Sequence, residues 1–137
     1  MDDVQNIMRL PWLVAAADAG WRSMWGTIVC PTETRGGMLL SQRFDCGSLR
    51  LRESEPGYRT DWHLAGEAVL IVIRQGTLRI ETHGDDPRDF HPGDAFVVAD
   101  ALPDDQPFDP TRHGHTAEVV GDQTLKAIHI KLNEFSP

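Results

Sequence analysis

The chain has no surplus of positive charge. Its 13 lysines and arginines stand against 21 aspartates and glutamates, for a formal net charge of -8. Nucleic-acid binding needs clustered Lys and Arg to displace counterions, so nucleic acid is not expected as a partner, and neither is an anionic membrane surface. Long apolar runs are also missing; none approaches the roughly 20 residues of a membrane span. The start, Met1-Asp2-Asp3-Val4, lacks the basic region of a signal or transit peptide. A cytoplasmic protein is expected. Cysteine is scarce: Cys30 and Cys46 make no disulfide framework and lack the C-x-x-C spacing of a zinc or redox site. Both are expected to be reduced thiols. There is no internal repeat and no low-complexity tract. What remains is an acidic chain of 137 residues, long enough for one domain with its own core.

What is present is a series of short β-rich segments. Residues 38–44, 49–53, 68–74, 77–82, 94–98, 116–120 and 124–132 are rich in Val, Ile, Leu, Thr and Phe. Turn signals separate them, among them Asp45-Cys46-Gly47, Glu55-Pro56-Gly57, Gln75-Gly76, Pro92-Gly93-Asp94 and Gly121-Asp122. Many short strands at close spacing predict a sandwich or barrel. The stretch from Pro11 to Trp25 reads differently. Pro11 suits a first helical turn, Ala15-Ala16-Ala17 favours helix and Gly20 suits a helix end. A short helical or irregular segment is expected there, with residues 1–37 an extension packed outside a barrel of residues 38–137. The run Ala68-Val69-Leu70-Ile71-Val72-Ile73 is apolar on both faces, so something must cover its outer side. The Trp-rich N-terminal segment or a second copy of the chain could do so, and a homodimer is expected. Residues 102–111, with three prolines and three aspartates, form an inserted loop of the kind that serves as a lid or as a plain surface excursion.

Two motifs carry a resemblance. Gly57 is followed after five residues by His63; Ala65, Val69 and Gly76 then fall at fixed offsets. Further on come Pro92-Gly93-Asp94 and, after a strand and a loop, His115. This frame resembles the two motifs of the cupin superfamily, and most closely its short single-domain bacterial members. The superfamily's first motif has His at the place of Ala65 and Glu at the place of Val69, where the short bacterial members often have Gln. A finer likeness runs through Arg52-Glu53-Ser54-Glu55-Pro56-Gly57-Tyr58, Asp61-Trp62-His63, Phe90-His91-Pro92-Gly93-Asp94 and Gly114-His115. The resemblance covers about residues 48 to 132.

The resemblance implies an all-β fold, a cupin-type jelly-roll barrel. It also implies that His63 and His115 face each other across the interior. On a regular strand residues 63, 65, 67 and 69 share a face, which would add Glu67 to the pocket. Two imidazoles and a carboxylate can move a proton, since imidazole titrates near neutrality. His63, His115 and Glu67 are therefore the candidate catalytic groups. His113 is a further ligand-binding candidate, two residues before His115. Arg50, Arg52 and Tyr58 are candidates at the mouth, either to recognise an anionic or oxygen-rich ligand or as ordinary surface charge beside Glu53 and Glu55. His83 reads as a solvated turn residue, His91 as a turn cap, and His129 as facing outward if Ile128 and Ile130 face the core.

Three functions stay open. The first is a small-molecule enzyme performing a dehydration, isomerisation or cyclisation, that is, a lyase or isomerase. The second is a non-catalytic module holding a small ligand. The third is an oxygenase with a divalent metal (Fe, Mn, Ni or Zn) on His63 and His115. Structural histidines with no catalytic part remain the plain alternative.

Overall fold

The structure is a computed structural model and describes residues 7–133. Ten strands follow in chain order: β1 (Ile7–Ala16), β2 (Arg22–Arg35), β3 (Met38–Ser41), β4 (Cys46–Ser54), β5 (Val69–Gln75), β6 (Thr77–Thr82), β7 (Arg88–Phe90), β8 (Ala95–Val98), β9 (His115–Val120) and β10 (Leu125–Leu132). They form a seven-stranded sheet, ordered β3-β2-β1-β8-β5-β10-β4, and a three-stranded sheet, ordered β7-β6-β9. The all-β jelly roll expected from the sequence is what the chain forms.

The N-terminal helix is not there. Residues 7–35 fold as a β-hairpin, β1 pairing with β2 from Ile7↔Pro31 to Ala16↔Arg22. Only Ala17–Ala19 make a single 3₁₀ turn. Nor does the segment lie outside the barrel. Trp12 and Leu13 pair in parallel with Val97 and Val98, which makes β1 a strand of the large sheet. A hydrogen-bonded ladder along β1 and a place beside β8 outweigh the modest helix preference of three alanines.

The core lies between the sheets. Phe96, Val98, Ile71, Ile73, Leu125 and Ala127 from the large sheet meet Leu78, Ile80, Ala117 and Val119 from the small one. Trp25 closes one side, its ring 5.4 Å from Phe90, which stacks on Phe96 at 3.9 Å. The outer side of β5 is covered in part by the chain itself: Trp12, Phe44 and Leu70 pack around Ile28, Cys30, Val97 and Leu132. Leu49 and Leu51 on β4 stay 62% and 66% exposed. Cys30 is a buried thiol and Cys46 an exposed one. Among the described residues no helix is long and apolar enough to cross a membrane.

Candidate functional site

Between the sheets a cavity of roughly 230 Å³ remains, walled by Val69, Ile71, Leu78, Ile80, Val98 and Ala117 and carrying His63, His115, His129 and Arg52. Residues 57–63 are laid along β9 by backbone bonds from Gly57 N–H to Val119 O, Thr60 N–H to Ala117 O and His63 N–H to His115 O. His115 N–H returns a bond to His63 O, so the two histidines form an isolated bridge. Their ring centroids are 4.4 Å apart. Gly114 makes this approach feasible. Its φ is +83°, and a Cβ there would sit 2.5 Å from His63 O. Any other residue would push the two segments apart.

Behind His115 lies a group that sequence reasoning missed. Asp100 follows β8 and is 0% exposed. Its Oδ2 accepts from His115 Nδ1–H and from Ser23 Oγ–H, both at 2.7 Å. Its Oδ1 accepts from Ala65 N–H at 3.0 Å. Burial works to raise the pKa of this carboxyl; the bond and charge of His115, with help from Ser23 and Ala65 N–H, outweigh it and hold the group below the usual carboxylate range. Asp100 is thus ionised at neutral pH. A carboxylate only accepts, so His115 carries its hydrogen on Nδ1 and leaves Nε2 for the cavity. His63 is fixed the same way. Its Nδ1–H donates to Asp61 O at 2.8 Å, which frees Nε2 at the exposed rim.

No protein-family model matches the chain, and no curated protein does. Solved structures do. One is a cupin-2 domain protein from Shewanella frigidimarina, at 17% identity over 62% of this chain and 69% of that one, with a TM-score of 0.45. Another is the polyketide cyclase RemF from Streptomyces resistomycificus, at 17% identity over 68% and 58%, TM-score 0.45. A third is the DMSP lyase DddQ from Ruegeria pomeroyi, at 18% identity over 89% and 52%, TM-score 0.47. The chain is similar to cupins in its fold. It spans 52% to 69% of the length of these proteins, and at such scores the likeness is one of outline and says nothing of activity.

Within the cupin-like barrel, His63, Ala65 and Val69 line the cavity, but Glu67 does not. Gly66, at φ +77°, breaks the alternation that a regular strand would have kept. Glu67 turns away, pairs with Lys131 at 3.0 Å and lines a separate surface depression. His113 is also removed from the pocket. It is buried, its Nδ1 accepting from Asp109 N–H and its Nε2–H donating to Gly20 O, both at 3.0 Å. That tautomer is the opposite of His115's, and it ties the loop before β9 to the turn between β1 and β2. The positive φ of Gly114 separates the directions of the two side chains.

His129 does not face outward. Leu125 and Ala127 on β10 face the core, and His129 follows them into the cavity wall. Ile130 faces the other cluster, with Trp12 and Leu70. Arg52 and Arg50 pair in register with Ala127 and His129, so they share that inner face. Arg52 lines the cavity and lies 5.4 Å from the centroid of the Tyr58 ring, while Arg50 and Tyr58 are exposed and do not line it. His83 is not simply solvated: its ring stacks on Trp62 at 3.8 Å. At the Pro92-Gly93 turn, His91 N–H donates to Asp94 Oδ2.

The two free Nε2 atoms, one backed by a carboxylate, suit two positions on a metal ion. A third protein ligand is not at hand. Among the described residues no group of three or more His, Cys, Asp or Glu is placed to hold an ion. The donor set fits two positions of a divalent cation, not the three or four of a resident protein site.

Proposed function

We propose that the chain is a small-molecule enzyme that moves a proton within the cupin-like cavity, in a dehydration, isomerisation or cyclisation. The supporting observation is the bond from His115 Nδ1–H to Asp100 at 2.7 Å, which leaves Nε2 for a cavity walled mainly by aliphatic side chains. His115 is the general base. As it accepts a proton on Nε2, the Asp100 carboxylate stabilises the imidazolium and keeps the ring from turning. Apolar walls strengthen that attraction by excluding water. The proton taken on His115 Nε2 is then returned from there to a substrate oxygen or carbon, and His63, its ring 4.4 Å away at the rim with Nε2 as a second acceptor, can relay protons between the cavity and solvent. Ser23 does not act as a nucleophile here, because its hydroxyl is spent on Asp100.

Deuterium exchange tests this without knowledge of the natural substrate. Small carbonyl compounds are incubated with the protein in D₂O, and exchange beside the carbonyl is read by NMR. The wild type is expected to wash deuterium into at least one compound. His115→Gln should slow this about 10²–10⁴-fold, the usual worth of a general base. Equal rates in wild type and variant would overturn the reading. Binding without exchange by any compound would favour the non-catalytic module instead.

We also infer that a second copy covers the face carrying Leu49 and Leu51, which flank Ile130 and Ile128 in register and leave an apolar surface open. Sedimentation at micromolar concentration should give twice the chain mass, and a monomer would refute it.

A further inference from the structure

We infer that the cavity takes a small carboxylate, held between Arg52 and His129 on the wall opposite His115. This rests on the reading of the cavity as a ligand site, and names the class of ligand. Three observations support it. Arg52 lines the cavity, and neither Arg52 nor Arg50 has a carboxylate partner among the described residues. The guanidinium of Arg52 spends only Nε–H, on Ser54 Oγ at 3.1 Å, and its two terminal nitrogens keep the fork that fits a carboxylate. In a chain of net charge -8, two uncompensated arginines on one inner face are a local excess of positive charge.

The second observation is His129 Nε2. It is buried with no hydrogen-bond partner among the described residues. A buried polar atom without a partner costs about 1–3 kcal/mol, so it calls for a group that completes it. Desolvation first, then the charges of Arg52 and Arg50, hold this imidazole below the usual histidine range. His129 is therefore neutral at pH 7 and able to donate one hydrogen. Of the two arginines only Arg52 lines the cavity, and this one permanent cation with one neutral donor matches a singly charged carboxylate. A phosphate dianion would ask for more positive charge than this wall offers.

The third observation is size. Roughly 230 Å³ holds about eight waters at about 30 Å³ each, and so a ligand of similar heavy-atom count. The remaining wall is apolar, so the ligand joins a carboxylate to a short hydrocarbon or ring. With its carboxylate on the large sheet, its body reaches toward His115 and His63 on β9 and the segment laid along it.

The test is calorimetric titration of the whole chain with acetate, butyrate and benzoate, each beside its neutral amide, and with inorganic phosphate. At least one carboxylate is expected to bind tenfold or more tightly than its amide. Arg52→Gln and His129→Gln should each abolish most of that preference, and Arg52→Lys should restore only part of it. In ¹⁵N spectra of labelled histidine, the His129 ring signals should shift on binding. The inference is overturned if no carboxylate exceeds its amide, if both Gln variants keep the preference, or if phosphate binds best. His115→Gln separates this inference from the catalytic reading. It should keep the carboxylate preference while losing deuterium exchange; exchange kept in that variant overturns the base alone, and preference lost in it overturns the anion site.

Discussion

His115 and His129 line one cavity from opposite sheets, and they are held in contrary ways. His115 has its Nδ1–H fixed on Asp100, which in turn is held by Ser23 and Ala65 N–H. Both oxygens of the carboxylate behind that ring are paired. His129 has a buried Nε2 with no partner and two arginines close by. The first arrangement fixes a tautomer and stabilises a charge that appears during reaction. The second leaves a polar atom incomplete and an unneutralised cation beside it. A wall satisfied from within suits chemistry, whereas a wall left wanting suits a ligand. The contrast can be broken from either side.

The largest effect is expected at Asp100. Asp100→Ala would leave His115 Nδ1–H, Ser23 Oγ–H and Ala65 N–H without an acceptor in a buried place. Breaking a buried charged network in this way costs about 3–5 kcal/mol, against a total stability of about 5–15 kcal/mol. Urea denaturation should show the loss as a lower midpoint. A change below about 1 kcal/mol would mean that the satisfied wall is not what holds this end of the barrel.

Gly114→Ala comes next. The added Cβ meets His63 O at 2.5 Å and also has to accept φ +83°. A loss of about 1–3 kcal/mol is expected, with the His63–His115 bridge opened and deuterium exchange reduced. Retention of full exchange would show that the bridge does not set the distance between the two rings.

The strand pattern was legible from residue type and turn spacing because each segment lies between Gly, Pro or Asp punctuation. The hairpin of β1 and β2 was not, since alanine runs speak for helix until a partner strand is known. Asp100 escaped because its partners lie 77, 35 and 15 positions away in sequence, and no periodicity spans such gaps. Its one signal was a carboxylate ending the apolar run Phe96-Val97-Val98-Ala99. The face of His129 hung on whether Ile128 and Ile130 point to the core, and because β10 is apolar on both sides alternation alone does not choose between Ala127 and Ile128. The spacing from Gly57 to His63 and from Pro92 to His115 did single out two rings that lie 4.4 Å apart. Alternation carried Glu67 with them wrongly, through a glycine at positive φ.

The two walls should also part company as pH falls. His129 has a folded pKa below its unfolded one. Below about 6.5 the unfolded chain gains a proton that the folded chain refuses, so stability declines from there until the folded group titrates as well. Asp100 likewise has a depressed folded value. Its contribution is complete above about pH 3.9 and disappears as pH drops through the lower folded value. A stability profile should therefore show two separate losses on the acid side. His129→Gln should remove the upper one and leave the lower. If the upper loss persists in that variant, another group is responsible for it.

The smallest effect tests the incomplete wall from the side of stability. His129→Leu keeps much of the ring's volume and removes the unpartnered Nε2. The residue is only part-buried, so water already offsets some of the cost, and the gain expected is about 0.5–1 kcal/mol, at the low end for an unsatisfied buried group. The same substitution should abolish the preference for carboxylates. Stability gained where binding is lost is the mark of a residue kept for function. Were His129→Leu to destabilise the fold at pH 7, the imidazole would be serving the barrel itself, and the difference between the two walls would be one of packing rather than of purpose.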